Sequence, residues 1–426
     1  MKLNRTLLVL GVLALFGLPL VLSPSLLNAA IQMLIAALFA SAFNVLCGQG
    51  GMLSFGHAAY FGVGTFATVH AMNAFGGAGL LPTPLMPLAG AGAGLVFGAA
   101  AGWFATKRIG TYFAMITLAL AELMHALAPH LKSLFGGESG LSTMRMPAWG
   151  LSFGSSIEIY YLTLAWVLLS LALLYLFTRT PLGRLTLGLR ENAHRLRFLG
   201  YDVHHLGVLV FAVSAMFSGL AGSLQAINNE AANYVVFNEH LSAAVVLNSY
   251  IGGVNVFLGP ALGASVMTFF GYAVSDLTQS WLLYQGIVFV AVMMFLPTGI
   301  TGLGQLWKHD RDQLGVSRWL PIFLLALLAL LLLSGGLVFL VELLQRVFSQ
   351  DYRALAAANG TAARPPVTLF GRGWAPGAAL TWLVPFGLLA VGGVLMRLSY
   401  SRWQTLLDAP RVDASSTESL IERKAA

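Results

Sequence analysis

The chain is built from apolar runs of about the length that crosses a bilayer, and few charges interrupt them. A helix rising ~1.5 Å per residue needs about 20 mostly apolar residues to span the hydrocarbon layer. Such runs lie at 6–23, 26–47, 57–73, 86–105, 111–130, 159–178, 207–227, 282–297, 319–341 and 378–397. Residues 241–276 are also apolar, too long for one span, short for two, and interrupted at "IGGVNVFLGP". A broken hairpin or re-entrant pair is expected there. Charged residues make up 9% of the 426, against about 25% in soluble domains, so no water-soluble surface can be assembled around a core. The fold class that remains is an all-α polytopic membrane protein. It has about ten core membrane segments, some broken or re-entrant, and two extra C-terminal spans.

Lys and Arg set the orientation, because they concentrate in cytoplasmic loops. Lys107 and Arg108 fill one tight turn, and Arg179, Arg184, Arg190, Arg195 and Arg197 crowd the segment before residue 206. Lys308, Arg311 and Arg318 follow the span ending at Pro297, and Arg397 and Arg402 follow the last one. The 228–240 loop carries Glu230 and Glu239 and no basic residue. Both termini are therefore expected in the cytoplasm, with the loops near 74–86, 131–157, 228–240 and 342–377 outside. The net charge of +7 reports such loops, since no basic stripe is long enough for a nucleic-acid footprint. A single cysteine, Cys47, excludes an internal disulfide framework and a Cys-based metal site. The histidines are scattered, and the adjacent pair His204 and His205 points to different sides of a helix. No metal site is expected. Lys2 and Arg5 before an apolar run, with small residues near Ala29, resemble a secretory signal. The run from Thr6 to Ser23 is longer than a usual signal core and a second span follows at once, so a retained first span is the expected reading.

"GGMLSFGHAAYFG", residues 50–62, is nearly a phosphate loop. His57 and Ala58 stand where that motif needs a Lys for the phosphates and a hydroxyl for Mg²⁺, and apolar spans flank it. The glycines need another explanation. Gly62, Gly64, Gly90, Gly92 and Gly94 read as small residues that let helices pack closely. Gly48, Gly50 and Gly51, with Gln49 and Ser54 between two spans, read as a broken helix whose freed backbone groups face protein or a water-lined path. "IGGVNVFLGPALGA", which holds Asn255, has the same character. Two Gly-interrupted segments in separate halves suggest an internally duplicated transporter. In "TYFAMITLALAELMHALAPH", Glu122 lies near mid-depth, where a carboxylate facing lipid costs at least ~2.5 kcal/mol. It should face the bundle, with His125 one turn away on the same side. A satisfied inter-helix hydrogen bond and a path or gating group are both open readings.

In "RTPLGRLTLGLRENAHRLRFLGYDV", Thr180-Pro181 ends a span, helical periodicity then resumes, and Gly200 is a C-terminal stop. A short basic amphipathic helix in a cytoplasmic loop could lie on anionic lipid. It could equally be the handle for a cytoplasmic partner, and composition does not choose.

From about residue 26 to 303 the chain resembles the permeases of high-affinity branched-chain amino acid ABC importers, the LivM-type subunit. The blocks that carry the resemblance are "NVLCGQGGMLSFGHAAYFGVGTF", "GTYFAMITLALAEL", "GGESGLS", "TPLGRLTLGLRENAHRLRFLGYDV", "VVLNSYIGGVNVFLGPALGA" and "FLPTGITGL". The resemblance implies that the 179–206 loop receives the ATPase, through Gly183, Arg190, Glu191, Asn192, Arg195 and Gly200. It implies a second permease subunit, two cytoplasmic ATPase subunits that use ATP and Mg, and an extracytoplasmic substrate-binding protein. This chain would hold no catalytic residue, metal or cofactor. It would sit in a bacterial cytoplasmic (inner) membrane and move a branched-chain or similar small amino acid by alternating access. The candidate translocation path comprises Gln49, Gly51, Ser54, His57, Glu122 and Asn255.

The family's late block is usually richer in glycine than "NSYIGGVNVF", which keeps urea, amides and aromatic acids open as substrates. The family core usually ends soon after the position of Leu303. The expected organisation is therefore a permease core at 1–303 and a charged cytoplasmic linker at 304–318. Two additional transmembrane helices with an external loop follow at 319–397, and a polar tail at 398–426 is expected to be disordered. An ion-coupled secondary transporter would need several membrane-embedded ionisable groups, and Glu122 is the one clear case. A membrane enzyme using histidines is disfavoured because most of them lie at span ends or in loops.

Overall fold

The computed structural model of the chain describes residues 5–76, 79–296, 298–302, 316–358 and 365–408. The chain divides into two compact units, residues 1–277 with 281–303, and residues 304–426 with 278–280. Lys2, Lys308, His309, Arg311 and the tail from residue 409 lie outside the described residues.

The first unit contains α1 (Arg5–Gly17), α2 (Pro24–Asn44), α3 (His57–Ala71), α4 (Pro87–Ala105), α5 (Thr111–Leu127) and α6 (Lys132–Phe135). It continues with α7 (Ser156–Arg179), α8 (Pro181–Phe198), α9 (Val203–Asn229), α10 (Glu239–Gly252), α11 (Gly259–Ser275) and α12 (Trp281–Phe295). Among its described residues, four unbroken helical segments are long and apolar enough to cross a membrane, Pro24–Gln49, Thr83–Ala105, Ser156–Arg179 and Val203–Asn229, and the bent pair Thr111–Leu127 with Lys132–Ser139 is a fifth candidate. α3, with 15 residues, and α10, with 14, are shorter than the about 20 residues a full span needs. The apolar stretch at 241–276 is accordingly two short helices, α10 and α11, joined by a tight connection.

α2 and α9 are buried along most of their length and form the centre of the unit, as helices apolar on every face must be. α9 packs against α3 and α4 through small residues. A Cβ on Gly64 would overlap the Gly219 backbone, and one on Gly94 would stand 2.5 Å from the Ala215 carbonyl oxygen. Close approach lets hydroxyls bond across the helices: Thr65 Oγ1 donates to the Gly222 carbonyl at 3.1 Å, and Thr68 Oγ1 to Ser223 Oγ at 2.8 Å. Gly62 instead receives the ring of Phe237. Gly92 departs from the expectation, facing open space with nothing within 4 Å of a Cβ there. On the loops opposite α8, β1 (Leu141–Ser142) pairs antiparallel with β2 (Ala231–Ala232), and Arg145 Nε lies 3.1 Å from Glu230 Oε1.

The second unit contains α13 (Val316–Phe348), α14 (Gln350–Ala358), an antiparallel pair β3 (Val367–Leu369) and β4 (Arg372–Trp374), and α15 (Ala379–Asp408). α13 and α15 meet where Gly336 faces Pro385 and Gly392 faces Leu333. The 342–377 stretch, expected as a loop, holds the last turns of α13, all of α14 and the β3–β4 pair. Glu342 is buried and accepts a hydrogen bond from the Thr278 hydroxyl, while Ser280 Oγ donates to Gln345 Oε1 at 2.6 Å.

Candidate functional site

The site is assembled from two broken helices. α2 widens at its end into a single π turn, Val45–Gln49, in which the Gly50 N–H donates to the Val45 carbonyl at 3.2 Å and the Met52 N–H to that of Leu46 at 3.1 Å. Such bulges recur at functional sites because they release backbone groups from the helical ladder. Gly51 then adopts φ +69°, which only glycine takes without strain, and the chain runs without helix to Gly56. α10 ends in a similar way. Gly252 closes the helix, Gly253 adopts φ +104°, and five residues separate it from α11 at Gly259. In both breaks an Asn stands one turn before the glycine, as Asn44-x-x-x-Gly48 and Asn248-x-x-x-Gly252. The Oδ1 atoms of Asn44 and Asn248 are both buried without a hydrogen-bond partner.

Arg190, on α8, joins the two breaks. Its Nη1 donates to the Gly48 carbonyl at 2.6 Å and its Nη2 to Asn255 Oδ1 at 2.9 Å. α8 lies close enough that a Cβ on Gly51 would stand 3.0 Å from Arg190 Cα. Among the described residues the ion pairs are Arg145–Glu230 and His205–Asp202, so the guanidinium of Arg190 has no carboxylate partner. A cavity of about 400 Å³ opens at this junction. Arg190, Asn255, Tyr250 and Thr298 contribute polar groups to its lining, and Leu53 and Met293 apolar ones. Cys47 also lines the cavity, its Sγ 3.7 Å from the Tyr250 hydroxyl.

α8 is shaped by local side-chain bonds. The Thr180 hydroxyl accepts from the Gly183 N–H at 3.0 Å, the N-cap bond of a helix start. A Cβ on Gly183 would overlap the Phe177 carbonyl, so glycine lets α8 fold back directly from α7. The periodicity predicts one unbroken helix to Gly200, but the structure kinks it. Asn192 sits at φ −159°, ψ 93°, and its Oδ1 accepts from the Arg195 N–H at 3.0 Å. Asn competes for nearby backbone in this manner, ending one helical piece and capping the next. Gly200 does terminate the second piece. The Gly200 N–H bonds the Arg197 carbonyl at 3.0 Å and the Tyr201 N–H that of Leu196 at 3.1 Å, the paired bonds of a Schellman end. Leu185, Leu189, Ala193 and Leu196 pack against Val203 and Leu206. Arg184, Glu191, Arg195 and Arg197 stay exposed beside Phe198, which is 91% exposed. Next to them Asp202 accepts from the His205 N–H at 3.1 Å and lies 2.6 Å from its Nδ1. The backbone bond first, then the side-chain bond, holds the Asp202 carboxyl below the usual carboxylate range.

Of the candidate path residues, the structure brings Gly51 and Asn255 to the cavity. Gln49 lies in the π turn with Oε1 enclosed and unpartnered. Ser54 and His57 are fully buried behind it. Ser214 Oγ donates to the Ala42 carbonyl at 2.6 Å, so it accepts from His57 Nε2–H at 2.8 Å. His57 Nδ1 is then the acceptor for the Ser54 hydroxyl at 3.0 Å. Neutral His57 thus satisfies both ring nitrogens inside a cage of Phe43, Tyr60 and Phe211 rings. Glu122 does not line the cavity. It is half-buried on α5 with Oε1 enclosed and unpartnered, while His125 packs its ring 5.7 Å from that of Tyr234. α5 braces the first break through Thr117 Oγ1, which accepts from the Phe55 N–H at 3.2 Å. Cys47, Tyr250, Met293 and Thr298 are site residues that the sequence reading missed; the repeated Asn-x-x-x-Gly spacing was the available signal for the first two.

The family described as "Branched-chain amino acid transport system / permease component" matches residues 25–297. The chain is 27% identical over 308 residues to the high-affinity branched-chain amino acid transport system permease protein LivM of Salmonella typhimurium, covering 66% of this chain and 71% of that protein. The LivM protein of Escherichia coli gives the same figures. The corresponding permease protein BraD of Pseudomonas aeruginosa is 23% identical over 295 residues, covering 64% of this chain and 93% of that one. No solved structure matches the chain. With the match spanning both broken helices and the loop helix between them, this mostly helical, multi-pass membrane protein belongs to the permease family of branched-chain amino acid transport systems.

Proposed function

We propose that the chain is the transmembrane permease subunit of an ATP-driven importer for branched-chain amino acids or a closely similar small amino acid. The observation that carries this reading is Arg190, a residue of a loop helix bonded to both broken membrane segments, at Gly48 and Asn255. A displacement of α8 is transmitted through those two bonds to the walls of the cavity. The outer face of α8 supplies the surface on which displacement acts, with Glu191, Arg195 and Phe198 exposed. Two cytoplasmic ATPase subunits would seat on that face and hydrolyse ATP with Mg, this chain contributing no catalytic group. A second permease subunit completes the path, and a substrate-binding protein delivers cargo from outside. Both termini and α8 face the cytoplasm of a bacterial inner membrane, and transport proceeds by alternating access.

The reading is tested by isolating the chain from its native membrane under mild conditions. Co-isolated ATPase subunits, with ATP hydrolysis stimulated by the amino-acid-loaded binding protein, are the expected result. A chain that purifies alone, with an ionic gradient as its sole driving force, would overturn the reading.

A further inference from the structure

The cavity at the junction holds chemistry that coupling alone does not use. A guanidinium carries five N–H donors, and the two bonds of Arg190 to the breaks end on neutral oxygens, a carbonyl and an amide. Its charge has no carboxylate partner among the described residues. A guanidinium presented this way in a cavity wall is a receptor for a carboxylate, which it can bind through two parallel N–H···O bonds. Tyr250 and Thr298 line the same cavity. Leu53 and Met293 add apolar surface to the same lining. At about 400 Å³ the space falls in the range of small-molecule sites, roughly 300–1,000 Å³. A cation and apolar side chains in the lining of one small cavity suit a carboxylate that bears a short apolar side chain. Urea or a neutral amide would leave the charge unmatched.

We propose that this cavity is the last binding station of the substrate before release, and that Arg190 receives the carboxylate of a small apolar amino acid there. The inference rests on the permease reading and narrows its substrate class. It also gives release a cause. Arg190 bonds the two breaks with the same guanidinium, so any movement of α8 that strengthens one set of contacts withdraws donors from the other.

The test uses the full complex in inside-out membrane vesicles. Met293→Cys is introduced together with Cys47→Ser, which removes the native thiol, and the new cysteine is labelled with a membrane-impermeant thiol reagent. L-leucine is expected to slow labelling several-fold, whereas L-leucinamide, which lacks the carboxylate, leaves it unchanged. Protection should vanish in Arg190→Gln and persist in part in Arg190→Lys. Equal protection by both ligands, protection surviving in Arg190→Gln, or no protection by leucine would overturn the assignment. So would a failure to label at all, because the cavity would then be closed to the cytoplasmic face. ATP-driven leucine uptake by the unsubstituted complex in proteoliposomes keeps the two claims apart. Uptake without protection sinks the cavity site alone, and no ATP-driven uptake sinks the permease reading.

Discussion

Gly253 forms the turn on which the second break depends, and replacing it with alanine should damage the protein in two separable ways. Its backbone, at φ +104° and ψ +103°, lies where a Cβ clashes with its own peptide groups. Holding a non-glycine residue in such a region costs on the order of 1–3 kcal/mol. The added Cβ would also stand 2.5 Å from the Thr298 carbonyl oxygen and 2.5 Å from Thr301 Oγ1. Neither neighbour can yield freely, because the Thr301 hydroxyl already donates to the Gly252 carbonyl at 2.7 Å. Overpacking of that kind adds about 1–3 kcal/mol. The sum for Gly253→Ala is on the order of 2–6 kcal/mol, a large part of the ~5–15 kcal/mol that holds a typical domain. Gly92→Ala is the matched control, since a Cβ there meets nothing within 4 Å and alanine in a helix gains at most ~1 kcal/mol. Thermal unfolding in detergent, followed by the fraction that remains monodisperse, reads the difference. Gly253→Ala should give less folded protein and a clearly lower midpoint, with Gly92→Ala at or above the parent. Indistinguishable midpoints for the two variants, with full transport in both, would refute the geometry described for the break.

Reversing the exposed charge in Glu191→Arg should leave membrane insertion normal while ATPase association or stimulated hydrolysis falls sharply, because close like charges at such a contact can couple by more than ~1.5 kcal/mol; wild-type transport would make α8 merely a lipid-facing helix. Glu122 has an enclosed, unpartnered Oε1, so Glu122→Gln should keep more transport activity than Glu122→Leu, and full activity in both would remove it from any functional role. Truncation after Trp307 deletes α13 to α15, which lie in the second compact unit; assembly and transport should persist, and loss of the complex despite normal insertion would make the extension part of the working core.

The legible part of the fold was what periodicity and punctuation specify. The long apolar runs became α2, α4, α7 and α9, and "IGGVNVFLGP" did mark a split into α10 and α11. Gly200 ended α8 as its position implies, because the cap is a local, short-range device. What escaped depends on contacts between distant residues. The resemblance places Arg190 among the ATPase-coupling residues with Glu191, Asn192 and Arg195, and nothing in its sequence neighbours reveals that it bonds Gly48 and Asn255. His57 looked like a path residue because a polar group sat beside a break. Its two serine partners, one of them 157 positions away, satisfy it in the core instead. The kink at Asn192 was hidden for a different reason: helical periodicity continues through it, while a single side-chain bond decides the backbone.

Under the proposed function, ATP hydrolysis by partner subunits, delivered through α8, drives this permease. The most direct test of that reading is radiolabelled leucine uptake by the purified complex in proteoliposomes, with binding protein outside and ATP enclosed. Uptake should require ATP, continue when a protonophore collapses the proton gradient, and stop when the ATPases carry a substitution that abolishes hydrolysis. Uptake that proceeds without ATP and disappears with the proton gradient would contradict the account.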